Sequence, residues 1–185
     1  MKQLYPDLWQ SKRQTSGILN TYTYYLQTPD ANFLIYNTGD SEDLDHVEQL
    51  GGIEYQLLTH RDEAGASLTR IQERFGATLM FSELEAEAIS NHAKADAYFE
   101  KGDHSLGDIE VLETPGHTGG SVSFVYRSPH SKTYLFTGDT FFKWDGQWAT
   151  LILTKAGGSK VLLINSLLKL RELEPDVVMS SGFIG

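Results

Sequence analysis

The 185-residue sequence has no cysteine, which excludes a disulfide framework, a thiolate nucleophile and a cysteine-ligated zinc site. Basic residues are scarce: 15 Lys and Arg stand against 25 Asp and Glu, a formal charge of −10. The acidic excess is spread along the chain and no basic stripe interrupts it, so nothing is placed to displace the counterions of nucleic-acid phosphates. Nucleic acid is therefore not expected as a partner, and a small-molecule substrate, neutral or steered by a metal, is favoured. Long apolar runs are also missing, none approaching the roughly 20 residues needed to cross a membrane. The opening Met1-Lys2-Gln3-Leu4-Tyr5-Pro6-Asp7 has no apolar stretch of the kind a secretory signal carries. The expectation is a cytoplasmic protein with no membrane partner. A hydrophobic content of 40% suffices to bury one full core, and no linker or low-complexity segment divides residues 1–185, so a single domain is expected.

Two short segments carry the chemistry. Glu113-Thr114-Pro115-Gly116-His117-Thr118-Gly119-Gly120-Ser121 is followed by Phe136-Thr137-Gly138-Asp139-Thr140. A histidine and an aspartate each sit on a glycine-containing turn after an apolar run, an arrangement that holds metal ligands at rigid strand ends. Turn histidines are often merely solvated. Here Pro115 pre-sets the turn, Gly116 and Gly119 permit unusual backbone angles, and Val122, Phe124 and Tyr126 alternate afterwards as a strand.

The rest of the chain supplies a frame. Leu19 to Thr28 reads as a strand, Thr28 to Ala31 as a turn and Asn32 to Asn37 as the returning strand of a hairpin. Asp40 and Ser41 can cap a helix that runs through Leu50 and is closed by Gly51-Gly52, with a strand over Tyr55 to Thr59. Leu68, Ile71 and Phe75 share a helical face, and Ser82 with Glu85 reads as a capping box for a helix through about Ser90. Residues 91–108 are polar and irregular, suiting either a loop over a cleft or a solvated excursion. Strands are expected over Ile109 to Leu112, Ser121 to Tyr126, Thr133 to Phe136 and Asp176 to Ser180, with a helix from Ser159 through Leu170 before the last. Strands followed by alternating helices and strands, twice over, fit two sheets between helices. Trp144 and Trp148 are expected in the core or a cleft wall, and His46, His92, His104 and His130 in polar contexts away from any ligand set.

In order and approximate spacing, the run from the first hairpin through Leu57-Leu58-Thr59-His60, Thr-Pro-Gly-His-Thr-Gly-Gly and Thr-Gly-Asp-Thr to Val177-Val178-Met179-Ser180-Ser181-Gly182 resembles the metallo-β-lactamase superfamily, which includes glyoxalase II and lactonases. The resemblance implies an α/β fold, a four-layer αββα sandwich, with one or two metal ions in a cleft between the sheets. The chain also departs from the family pattern. Where the family reads HxHxDH, this sequence reads His60-Arg61-Asp62-Glu63-Ala64-Gly65. Without a gap, Asp62 replaces the second histidine; with a two-residue deletion, Asp62 and Glu63 stand for the Asp-His pair. The last family histidine is replaced by Phe183.

The resemblance thus implies His60, Asp62, His117 and Asp139 as metal ligands, with Glu63 as a possible fifth. That set suffices for one divalent ion, zinc first, with iron or manganese compatible with the same donors. The implied chemistry is hydrolysis of a small ester, thioester or lactone by a metal-activated water. Asp62 would be the fourth ligand or the base that orients the water, and Glu63 the reserve for that role. The rival is a catalytically quiet relative that binds a ligand or partner without metal, and the third reading is mononuclear iron oxidation. Oligomeric state leaves no trace in the sequence.

Overall fold

The computed structural model describes residues 1–185. In chain order its elements are β1 (Lys2–Tyr5), β2 (Leu8–Gln10), β3 (Gln14–Ser16), β4 (Leu19–Thr21), β5 (Tyr24–Gln27), β6 (Asn32–Ile35), α1 (Ser41–Leu50), β7 (Tyr55–Leu57), α2 (Ser67–Phe75), β8 (Thr78–Phe81), α3 (Ala86–Ile89), β9 (Ala97–Tyr98), β10 (His104–Leu106) and β11 (Ile109–Glu113). They continue with β12 (Val122–Ser128), β13 (Lys132–Gly138), β14 (Phe142–Trp144), β15 (Gln147–Ala149), α4 (Lys160–Arg171), β16 (Val177–Ser180) and β17 (Gly182–Ile184). No helix is long and apolar enough to cross a membrane.

Two sheets face one another. The first has the order β1-β2-β5-β6-β7-β8-β9, antiparallel as far as β6 and parallel from there on. The second, β10-β11-β12-β13-β16, repeats the scheme, an antiparallel meander with a final parallel pair reached through α4. Period-two alternation explains the layering. In β6, Phe33 and Ile35 point into the main core while Leu34 points outward, and in β12 and β13 Phe124, Tyr126, Tyr134 and Phe136 point inward against Val125 and Leu135. The inward set builds the 18-residue core between the sheets. Leu34 packs on Leu44 and Val47 of α1 and Ile71 of α2, and Val125 and Leu135 on Leu170 of α4. The order is helix, sheet, sheet, helix: an αββα sandwich.

A third, smaller sheet, β15-β14-β17-β4-β3, borders one end. It corrects the expected hairpin, because Leu19 to Thr28 is two strands in two sheets. The break falls at Tyr22-Thr23, where Tyr22 N donates to the Ser181 carbonyl and Thr23 Oγ1 to that of Asn37, so the chain crosses between sheets instead of continuing one ladder. Residues 91–108 contain β9 and β10 and line a separate hollow of about 420 Å³ rather than the cleft described below. Trp144 and Trp148 lie on the β14–β15 hairpin at 45% and 54% exposure, not in the core. The indole of Trp148 instead carries Lys143 Nζ at 4.0 Å from its centroid.

Candidate metal centre

Three loops at the C-terminal ends of β7, β11 and β13 converge. Capping by Asp40, whose side chain accepts from Asp43 N, and closure at Gly51 fix α1, and with it β7 beside β6. The chain leaves β7 through Leu58 and Thr59 and enters a single 3₁₀ turn at His60 in extended geometry. Beyond β11, Gly116 takes φ +150°, and a Cβ there would come within 2.4 Å of Leu163 Cα, so the His117 loop can press on α4 only with glycine at this position. Gly138, at φ +52°, ends β13; a Cβ there would fall 2.0 Å from Thr59 Oγ1, so only glycine lets the Asp139 turn approach the His60 turn.

The result is a cluster of His60, Asp62, His117 and Asp139 whose ligand atoms all lie within 4.8 Å of one another. His60 Nε2 is 3.9 Å from Asp62 Oδ2 and 3.5 Å from Asp139 Oδ2; His117 Nε2 is 3.5 Å and 4.0 Å from the same two atoms. The imidazole rings stand at 87° with centroids 4.7 Å apart. Each histidine is oriented from its other nitrogen. His117 Nδ1 lies 2.9 Å from the Leu151 carbonyl, an acceptor only, which puts the proton on Nδ1 and the lone pair on Nε2. His60 Nδ1 faces the Glu63 carboxylate at 3.2 Å, and Ser181 Oγ donates to Asp139 Oδ1 at 2.8 Å, leaving Oδ2 for the cluster.

Both Nε2 atoms are buried and neither has a hydrogen-bond partner. Orphaned buried polar atoms are rare, because each forfeits its solvation without return. Two of them aimed at a pair of carboxylate oxygens is the arrangement a cation would complete. Four ligands held at roughly 2.0–2.2 Å in a tetrahedron lie about 3.3–3.6 Å from each other, a spacing that the two 3.5 Å pairs meet and the 3.9 and 4.0 Å pairs exceed. Two imidazoles and two carboxylates suit zinc, iron or manganese. Elsewhere no group of three or more His, Asp or Glu has metal-binding spacing.

The electrostatics agree. Burial opposes protonation of His60, but the carboxylates of Glu63 and Asp139 outweigh it and raise the imidazole well above its ordinary value. For Asp139, burial works upward, yet the neighbouring His60 imidazole, 3.5 Å away, pulls the carboxyl down to about 2. The facing His117 imidazole lowers Asp62 as well. The cluster thus holds two carboxylates in the anionic form that a cation requires.

Glu63 does not join the four donors. One of its oxygens takes Thr59 N at 2.8 Å, and the other takes Thr59 Oγ1 and faces His60 Nδ1. It therefore sits behind His60, held by Thr59 and facing the His60 ring. The other histidines lie elsewhere: His46 Nδ1 is 2.9 Å from the Met1 amine and His104 Nδ1 2.9 Å from the Gly102 carbonyl. Phe183 stacks on Tyr22, with centroids 5.6 Å apart.

The expected Ser82–Glu85 capping box is not formed. Ser82 Oγ accepts from Leu84 N, while Glu85, fully buried, turns inward. Its carboxylate accepts from Arg61 N and Nε at 3.1 and 2.5 Å, and from Thr118 Oγ1 and Gly120 N at 3.0 Å each. One side chain thereby ties the loop of His60 and Asp62 to that of His117. No spacing rule flags it; the only available signal was a carboxylate on the strand-to-helix turn next to the motif strand. Ser181 was similarly hidden, two residues from the vacated histidine position.

Three of the four donors, His60, Asp62 and Asp139, line a cleft of about 540 Å³. A family model described as the metallo-beta-lactamase superfamily matches residues 53–182. A hydroxyacylglutathione hydrolase of Rhizobium meliloti is 34% identical over 101 residues, covering 54% of this chain and 38% of that protein. The chain thus spans well under half the length of that relative. Among solved structures, a metallo-beta-lactamase from Pontibacter korlensis superposes with a TM-score of 0.74 at 21% identity, over 98% of this chain and 89% of the other. An N-acyl homoserine lactone hydrolase, solved with its product N-hexanoyl-L-homoserine at the catalytic metal centre, gives a TM-score of 0.67 at 17% identity, covering 96% and 92%.

Proposed function

The chain belongs to the metallo-beta-lactamase superfamily, and from that premise we propose that it is a hydrolase of a small ester, thioester or lactone, working with one divalent metal ion, zinc first. The observation that carries the reading is the pair of partnerless, buried Nε2 atoms of His60 and His117 facing Asp62 Oδ2 and Asp139 Oδ2. These four residues would hold the ion. When bound, such an ion polarises a carbonyl and lowers the pKa of water toward about 7.

The chain's own residues prepare that site. The Leu151 carbonyl and the Glu63 carboxylate occupy the Nδ1 atoms, so neither ring is free to turn and each directs Nε2 at the cluster, His60 after giving up its Nε2 proton. Ser181 fixes Asp139. Asp62 differs from the other three in being half exposed at the cleft. We assign its Oδ2 to the ion as fourth donor, which leaves its second oxygen to orient a nucleophilic water and accept its proton. Tyr22 and Phe183 form an apolar stack near this end of the cleft, which suits the carbon skeleton of an acyl group.

The hydrolase names of the relatives lend support, and the small portion of the Rhizobium protein covered makes the substrate part of the proposal. The test is a panel of aryl esters, acyl thioesters and lactones offered to zinc-loaded protein and to His117→Ala. Turnover that needs zinc and is lost in the variant is expected. Equal rates in both, or no turnover with any divalent ion, would overturn the hydrolase reading in favour of a metal-free binder.

A further inference from the structure

The cleft that His60, Asp62 and Asp139 line is acidic, with Glu63 also in its wall, and Arg70 is the single Lys or Arg among its lining residues. Arg70 stands at the end of the first turn of α2. Its Nη2 donates to the Gly39 carbonyl at 3.1 Å, which steadies the end of the side chain against the β6–α1 loop. No carboxylate pairs with it. Elsewhere in this chain of charge −10, Arg61, Arg74, Arg127 and Arg171 are each paired with a carboxylate of the protein, and Arg13, unpaired like Arg70, lies outside the lining of this cleft.

A guanidinium carries five donors in a planar fork matched to a carboxylate, and a single carbonyl leaves most of them free. An arginine that is unpaired in an acidic protein, anchored by one bond and set in the wall of the cleft that holds the donor cluster, is placed to receive an anion from outside. Resting on the hydrolase reading above, we propose that Arg70 is the anion anchor of the cleft and that the substrate is an ester or thioester with a carboxylate remote from its scissile carbonyl. The ion cluster would take the reacting carbonyl and Arg70 the far end, so that both the orientation and the length of the substrate are read.

The experiment compares two aryl esters of like length, p-nitrophenyl butyrate and p-nitrophenyl hemisuccinate, on zinc-loaded wild type, Arg70→Met and Arg70→Lys. Wild type should favour the anionic ester. The ratio of kcat/KM for the anionic over the neutral ester should fall about tenfold in Arg70→Met, mainly through KM, as expected for a lost charge-assisted hydrogen bond. Arg70→Lys, which keeps the charge and loses the fork, should fall between. An unchanged ratio in Arg70→Met overturns the proposal. If wild type cleaves neither ester, the hydrolase reading is what has failed, and succinate titrated into zinc-loaded protein decides Arg70 separately: weaker binding by Arg70→Met supports the anchor, and equal binding overturns it.

Discussion

Replacing Glu85 with alanine should both destabilise the protein and loosen its grip on metal. The carboxylate is wholly buried and accepts from Arg61, Thr118 and Gly120. Truncation leaves the Gly120 N–H and the Thr118 hydroxyl unsatisfied and the Arg61 guanidinium unpaired. Breaking a buried ion pair from one side costs about 3–5 kcal/mol. Arg61 is 25% exposed and can recover some hydration, so the lower end applies, about 3 kcal/mol. In a chain of this size that lowers Tm by about 6–12 °C. Because the same carboxylate joins the loops that carry His60, Asp62 and His117, zinc affinity should also fall about tenfold, the lower end of the loss typical of groups behind metal ligands. Thermal unfolding with and without zinc, beside competition with a chromophoric chelator, reads the two effects apart. Glu85→Gln, which keeps the shape and two lone pairs, should lie between wild type and alanine in both. A Tm drop with zinc affinity intact would reduce Glu85 to an ordinary core contact, and a change under 2 °C would refute the clamp altogether.

The remaining predictions concern the frame and the protons. Gly138→Ala places a Cβ against Thr59 Oγ1 at φ +52° and should cost on the order of 2 kcal/mol or more through strain and displacement; chemical denaturation that shows less than 0.5 kcal/mol, about the scatter of surface substitutions, would contradict the close approach. For the metal-free protein, His60 is raised and Asp139 lowered to about 2. The stabilisation from His60 is complete below its unfolded pKa of about 6.5 and is lost as pH rises through the higher folded value. That from Asp139 is complete above about 4 and is lost as pH falls through about 2. Metal-free Tm should therefore be highest between about pH 4 and 6.5 as far as this pair is concerned, and His60→Gln should flatten the alkaline limb. Zinc affinity should climb with pH through the same alkaline range, since a bound ion displaces the His60 proton; a flat affinity profile would contradict the assignment of His60 as a ligand.

Much of the architecture is written in local signals. Asp40, Gly51 and the Leu44–Val47 spacing specify α1, and the alternation in β12 and β13 specifies inward and outward faces. His117 and Asp139 are legible because turn chemistry surrounds them. What escapes is long-range. Thr23 leaves its strand because partners at Ser11 and Asn37 outbid the ladder, and Glu85 abandons its cap because Arg61 lies 24 positions away in sequence but within 2.5 Å in space. Glu63 and Asp62 are adjacent carboxylates on one 3₁₀ turn, and only tertiary packing sends one behind His60 and the other into the cleft.

The most direct test of the account is the transition-metal content of protein purified without chelators and then dialysed against zinc, measured by elemental analysis on wild type and His117→Ala. One equivalent of metal per chain, falling to a small fraction in the variant, is the predicted result. Two equivalents, or none after exposure to zinc, manganese and iron, would contradict a single ion held by His60, Asp62, His117 and Asp139.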